Sequence, residues 1–200
     1  MISPLNETAG LDAALADAVA SYEAQGEVGR LHERLAELAD GADADALMRA
    51  VEPFRHIPEV AVPVYERVVA AQPENARALV ILANAYWLAG RGPDVVGELA
   101  TRAISADPTN RGAWHMWALT ESNPRQRTAR WQQVVARFPE DLLAKATLAD
   151  NAASLAGAEH DADALLLAIT TYERLLERAD EPAQREALEH ALLTLRAWKL

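Results

Sequence analysis

Histidine is the residue type in this sequence that would most readily bind a metal. The five histidines are at His32, His56, His115, His160 and His190. Their separations do not place two of them on one turn of a helix, as a pair of metal ligands requires. His32 is followed by Glu33, but the second histidine of the zinc-protease motif H-E-x-x-H is missing. The sequence therefore predicts neither a metal site nor a cofactor.

The densest group of possible ligands is the run Glu159-His160-Asp161-Ala162-Asp163. It separates two helical patterns, where aspartates commonly cap the following helix. There is no cysteine to act as a nucleophile, and no Gly-rich phosphate loop or G-x-S-x-G elbow occurs. Glu66 and Glu173 each follow a tyrosine at equivalent positions of a repeated pattern, which favours a structural role for both. No catalytic residue and no enzymatic activity are expected.

The charge distribution is acidic at both ends of the chain and basic in an inner segment. The net charge is −11, which disfavours nucleic acid and anionic membranes as general partners. Segment 102–137 is the exception, with six arginines against two acids. Arg125, Arg127 and Arg130 lie in or before the first turn of a predicted helix, where positive charge opposes the helix dipole. They are either part of a solvated face or candidates for contact with an anionic partner.

The composition indicates a folded, helical protein without a membrane span. Half of the residues are hydrophobic, and alanine and leucine, which favour helices, dominate among them. No run of about 18 apolar residues occurs. The first twelve residues lack the basic and apolar segments of a signal peptide. A cytoplasmic location is expected.

The elements that must position any binding residues are clearest in the central segment, 76–108. Leu79, Leu82, Ala83 and Tyr86 recur at the spacing of one helical face. A turn with two glycines and Pro93 follows. A second helical stripe then contains Val96, Ala100, Ala103 and Ile104, and it ends at Asp107-Pro108.

This segment resembles one unit of the tetratricopeptide repeat (TPR) family, whose pattern is W-x2-L-G-x2-Y, then A-x3-F, then proline. Leu79 stands in place of the tryptophan and Ala83 in place of the glycine. Val96 and Ala100 occupy the positions of the alanine and the aromatic residue of the second helix. The resemblance covers nearly the whole chain, although residues 9–58 also suit HEAT-like or other helix pairs.

The phase of the pattern repeats along the chain. Tyr65 precedes Pro73, and Trp131 precedes Pro139, by the same eight residues. Helix-pair ends near 40, 73, 108, 139 and 180 are 33, 35, 31 and 41 residues apart, against about 34 in the TPR family. The predicted organisation is a flexible arm at 1–8, helix pairs at 9–41, 42–75, 76–110, 111–141 and 142–181, and a capping helix at 183–199.

Local signals refine these boundaries. Asp43 or Asp45 is expected to cap the helix that follows residue 45, and Pro53 should end or kink that helix. A helix from Val60 is expected to carry Pro63 in its first turns. Residues 157–163 read as a longer loop between helices at 142–156 and 164–179. Together these signals predict about eleven helices and no sheet.

The resemblance implies an all-α superhelix whose concave face is lined by the first helix of each pair. On this face the candidate partner-binding residues are Arg77, Val80, Asn84, Trp87, Leu88, His115, Met116, Leu119 and Asp150. Apolar residues such as Val80 and Met116 occupy positions where a clamp for a C-terminal carboxylate would need polar groups. A helical or apolar segment is therefore the expected ligand. Trp87 either faces this groove or is buried against a neighbouring helix.

The first functional hypothesis is a scaffold or adaptor that binds a protein or peptide segment in the groove. A second is a self-associating scaffold that forms a homo-oligomer. A third is a regulatory subunit that contacts an anionic partner through Arg125, Arg127 and Arg130.

Overall fold

The computed structural model describes residues 4–199, with side chains from residue 10 onward. Across these residues it contains eleven α-helices, one 3-10 turn and no strand, which confirms the all-α fold class. None of the described helices combines the length and apolar character that a membrane crossing needs. The helices are α1 (Pro4–Gln25), α2 (Val28–Asp40), α3 (Ala44–Val51), α4 (Pro58–Ala71), α5 (Ala76–Leu88), α6 (Pro93–Ala106), α7 (Arg111–Leu119), α8 (Pro124–Arg137), α9 (Leu142–Glu159), α10 (Ala162–Leu176) and α11 (Pro182–Arg196).

The chain divides into two compact units. Unit 1 ends at Met116 and unit 2 begins at Trp117, within α7. In unit 1, α1 packs on α2, α3 on α4 and α5 on α6, and α4 also packs on α5. In unit 2, α9 packs on α8 and α10, and α10 packs on α11. One continuous array of five pairs over 9–181 stays a prediction from the sequence.

Asparagine and aspartate side chains fix where several helices begin. Asp43 accepts a 2.7 Å hydrogen bond from the backbone N–H of Ala46 at the start of α3. Of the two aspartates predicted as caps, Asp43 and Asp45, the cap is therefore Asp43. Asn75 caps α5 at 3.0 Å. Asn123 and Asp141 do the same for α8 and α9, each at 3.0 Å. These bonds satisfy amide groups that have no partner within the helix.

The core of unit 1 follows the predicted stripes. Leu79, Leu82 and Ala83 of α5 are buried, as are Val96 and Ala100 of α6. Each fully buried leucine contributes about 1.5–3 kcal/mol relative to an exposed one. The burial of Leu82 confirms the predicted inward face of α5.

The core of unit 2 contains many alanines. Ala152 of α9, Ala168 of α10 and Leu195 of α11 are buried together in one cluster. Small side chains at these positions let helices approach closely, so α11 covers the end of the α9–α10 pair. Helix α11 spans Pro182–Arg196, and its role as a cap at 183–199 stays a prediction.

The N-terminal segment differs from the predicted arm. Helix α1 already begins at Pro4, so residues 4–8 are helical, while residues 1–3 lie outside the described residues. Proline fits the first turn of a helix because its missing N–H would have no partner there.

The predicted loop at 157–163 is also largely helical. Helix α9 continues to Glu159, and α10 begins at Ala162. His160 adopts the left-handed conformation, with a φ of 53°. Asp161 then caps α10 by accepting 3.0 Å bonds from the N–H groups of Asp163 and Ala164. The connection is short because one left-handed residue and one capping residue are sufficient to reverse the chain.

Helix α4 begins at Pro58, before the expected Val60, so Pro63 lies beyond the first turn. Pro63 has no N–H to donate to the carbonyl of Glu59, one turn earlier. The Nε2 atom of His32 on α2 lies 3.1 Å from this carbonyl oxygen and bonds to it. At Pro53, α3 has already ended at Val51 and a 3-10 turn takes over, as the proline signal predicted.

Candidate functional site

Helix α5 has one face in the core and an exposed part at its C-terminal end. Trp87 is 40% exposed and Leu88 is 55% exposed, and Asn84 is exposed one turn earlier. Trp87 follows the half-buried Tyr86 and points about 100° away from it, as successive helical residues do. We call Asn84, Trp87 and Leu88 the α5 surface. The structure thus places Trp87 at the surface rather than in the core.

The end of α5 is held in place from α4. The hydroxyl of Tyr86 donates a 2.7 Å hydrogen bond to Glu66. The guanidinium of Arg91 lies 4.6 Å from the centre of the Tyr86 ring and 3.7 Å from Glu66. Gly90, with a φ of 72°, makes the turn between them, a conformation that glycine adopts without strain. These contacts fix the direction in which neighbouring Trp87 points.

Tyr86 remains a hydrogen-bond donor across the physiological pH range. Its partial burial disfavours the phenolate, and the hydrogen bond to the Glu66 carboxylate adds to this effect. Together they raise the pKa of Tyr86 to about 12.

The other candidate residues of unit 1 are either already paired or more buried than the α5 surface. Arg77 is exposed but forms a 2.8 Å ion pair with Glu52. Val80 is half-buried, and a Cβ atom on Gly112 would lie 3.1 Å from its Cγ1 atom. His115 is half-buried and Met116 is buried. Met116 therefore belongs to the packed interior, whereas the sequence had grouped it with the surface.

Leu119 and Asp150 belong to unit 2. Leu119 is exposed near the end of α7. Asp150 is exposed on α9, and its carboxylate accepts a hydrogen bond from the hydroxyl of Tyr172 on α10. Asp150 thus joins the two helices of its own pair.

Arg125 and Arg127 contact acceptors in unit 2. Arg125 forms ion pairs with Glu159 at 2.5 Å and with Asp161 at 2.7 Å. The backbone N–H of Ala164, together with Arg125, holds the pKa of Asp161 below its usual value. Arg127 donates to the Oδ1 atom of Asn151 at 2.7 Å.

Arg130 is similarly engaged. It forms a 2.7 Å ion pair with Glu121 and donates to the carbonyl oxygen of Trp117 at 2.8 Å. Its guanidinium also lies 4.6 Å from the centre of the Trp117 ring. An anionic partner would have to displace acceptors that the three arginines already have. Sequence reasoning missed these acceptors because most lie many residues away along the chain.

Comparison with known proteins identifies the fold. No protein-family model matches the chain, and no curated protein matches it in sequence. Among solved structures, PilF of Pseudomonas aeruginosa aligns with a TM-score of 0.63 and 16% identity, covering 96% of this chain and 86% of that one. MamA aligns with a TM-score of 0.61 and 14% identity, covering 80% and 96%. A thermophilic TPR protein of Thermus thermophilus, TTC0263, aligns at 0.57 and 17% identity, covering 92% and 99%.

The chain has the TPR fold. The residues quoted above for the central unit fall on α5 and α6 as the TPR pattern requires, since Leu79, Ala83 and Ala100 are buried. At identities of 14–17% these structural alignments show the fold alone, and function has to be argued from the residues of this chain.

Proposed function

We propose that the protein is a non-catalytic scaffold that binds an apolar, helical segment of a protein partner on the α5 surface. The observation that carries this proposal is the exposure of Trp87 beside Leu88 on the first helix of the central TPR pair. The TPR fold of its structural neighbours supports a role in protein interaction.

The chemistry of the α5 surface favours an amphipathic helix as the ligand. Trp87 and Leu88 provide adjoining apolar area, and Asn84 adds an amide that can donate and accept hydrogen bonds. An amphipathic helix docks its apolar side chains into such a surface and leaves its polar face in water. Tryptophan is a frequent centre of binding energy because it buries a large area with few rotatable bonds.

The anionic-partner hypothesis has less support from the structure. Arg125, Arg127 and Arg130 are each bound to acceptors within unit 2. No feature of the three side chains favours an external anion over these contacts.

The test uses a displayed library of amphipathic helical peptides selected against the intact chain. The affinity of selected peptides is then measured by titration for the wild type and for Trp87→Ala. We expect Trp87→Ala to weaken binding by about 30-fold or more, equivalent to about 2 kcal/mol.

Trp198→Ala is the matched control, because Trp198 is 37% exposed but lies at the end of unit 2. It should leave peptide affinity unchanged, and thermal melts should show both variants folded. Failure to select any peptide would contradict the proposal. So would selected peptides that bind Trp87→Ala as tightly as the wild type.

A further inference from the structure

An open groove runs between α10 and α11 in unit 2. Its volume is about 760 Å³. Three leucines, Leu176, Leu192 and Leu193, line it together with five charged residues, Glu173, Glu177, Arg185, Glu189 and Arg196. Leu192 is buried, whereas Leu193 is 70% exposed at the edge of the groove. An exposed leucine beside buried Leu192, surrounded by charges of both signs, favours the docking of a further amphipathic helix.

The corresponding groove of unit 1 already has a third helix. The motif Tyr-Glu-Arg occurs at 65–67 in α4 and at 172–174 in α10. Counted from this motif, Glu66 and Val69 correspond to Glu173 and Leu176. The groove at Glu66 and Val69 is bounded by α4, α5 and also α6, which contributes Leu99. Among residues 4–199, no helix takes the place of α6 beside α10 and α11.

The charges of α11 match those of a second α11 in the antiparallel direction. Its N-terminal half, with the preceding residue, carries Glu181, Glu186 and Glu189 against Arg185. Its last residue, Arg196, forms an ion pair with Glu173, and Lys199 follows three residues after the helix. In an antiparallel pair the acidic half of each helix faces the basic end of the other. A two-fold axis near Leu193 would bring the two Leu193 side chains together and place Glu186 of each copy near Lys199 of the other.

We infer that this groove is a homodimer interface in which α11 of a second copy of the chain takes the place that α6 has in unit 1. The contact buries Leu193 and joins opposite charges at both ends. It involves one helix and one groove from each copy, so its area lies at the small end for protein interfaces. We expect such a contact to be weak, with a dissociation constant in the micromolar range. The interface shares no residue with the α5 surface, and either proposal can fail without the other.

Sedimentation of the intact chain over a concentration series tests this inference. The wild type should change from monomer to dimer, with a midpoint on the order of 10–100 µM. Leu193→Glu should remain monomeric over the same range, because it places an unpaired carboxylate at the centre of the interface. A wild type that stays monomeric throughout would overturn the inference.

Leu166→Glu is the matched control, since Leu166 on α10 is 64% exposed and lies outside the groove. This variant should dimerise like the wild type, and melting curves should be similar for both glutamate variants. Equal loss of dimer in the two variants would place the contact elsewhere and overturn the assignment.

Charge reversal tests the antiparallel arrangement. Lys199→Glu should raise the dissociation constant by about 3- to 10-fold, because the symmetric dimer loses two exposed ion pairs. Adding Glu186→Lys should restore most of the affinity. If the double variant is weaker than Lys199→Glu alone, the antiparallel arrangement is wrong.

Discussion

The motif Tyr-Glu-Arg occurs in α4 of unit 1 and in α10 of unit 2, and its glutamates behave alike. Glu66 accepts a hydrogen bond from Tyr86 on α5 at 2.7 Å. Glu173 accepts one from Arg196 on α11, also at 2.7 Å. In both units the glutamate therefore joins its helix to the next helix along the chain, as expected for a structural role.

The tyrosines of the two motifs are in different environments. Tyr65 is fully buried, and its hydroxyl has no hydrogen-bond partner within the described part of the chain. Tyr172 is only half-buried and donates to Asp150. Burial raises the pKa of both hydroxyls, and Asp150 raises that of Tyr172 further. The position in the repeat fixes the direction of the side chain, while neighbouring helices decide how its polar group is satisfied.

The largest expected effect is the loss of the buried ring. Tyr65→Ala should lower the free energy of unfolding by about 3–5 kcal/mol because it leaves a cavity in the core. Tyr172→Ala should cost less, since part of that ring already contacts water. Chemical denaturation of both variants measures the difference. Equal losses would mean that the two tyrosines are equally important for packing.

Removal of the hydroxyls alone should have opposite signs in the two units. Tyr172→Phe should cost about 1 kcal/mol because it breaks the bond to Asp150. Tyr65→Phe should be neutral or stabilising by up to about 1 kcal/mol, because it removes a buried hydroxyl without a partner. Comparing the denaturation midpoints of the two variants with that of the wild type, at equal m-values, tests both predictions. A clear destabilisation by Tyr65→Phe would contradict this assignment.

A similar contrast occurs where α5 and α9 end. Gly90 makes the turn after α5 with a φ of 72°, whereas His160 holds a φ of 53° after α9. His160→Gly should therefore stabilise the protein by about 0.5–1 kcal/mol, as a left-handed residue without a Cβ atom is less strained. His160→Ala is the control and should give no such gain in a thermal melt.

The smallest effect on stability at neutral pH is expected from the ionisation of Tyr86. The folded pKa of Tyr86 is about 12, against an ordinary value of 10.0. Its contribution to stability is fully present below pH 10 and is lost as the pH rises towards 12. Melting temperatures between about pH 9 and pH 12 should fall less steeply in Tyr86→Phe than in the wild type. Parallel pH profiles for the two proteins would count against the bond to Glu66 as the cause.

The sequence predicted the helices well because their cores follow a helical period. The inward positions of Leu79, Leu82 and Ala100 could be read from spacing alone. The prediction of a loop at 157–163 was wrong because a histidine, not a glycine, occupies the left-handed position after α9. The side-chain acceptors of Arg125 and Arg127 lie 24 to 36 residues away in sequence, and no local pattern reports contacts over that distance.

The exposure of Trp87 could be predicted only in part from the sequence. Helical spacing showed that Trp87 and Tyr86 cannot share one face, so Trp87 had to turn away from the core stripe. Whether a neighbouring helix covered it depended on packing, and the structure leaves 40% of it exposed. Met116 shows the reverse, because packing buries a residue that spacing had placed on the surface.

The bond between His32 and the carbonyl of Glu59 makes two distant positions dependent on each other. Because Pro63 cannot donate to this carbonyl, His32 supplies a donor from another helix. A substitution that returns an N–H to position 63 would restore the helical bond and free position 32 for other residues. Replacing His32 first would instead leave this exposed carbonyl with only water as a donor. The order in which the two positions change therefore matters, and related sequences should retain the histidine wherever the proline is present.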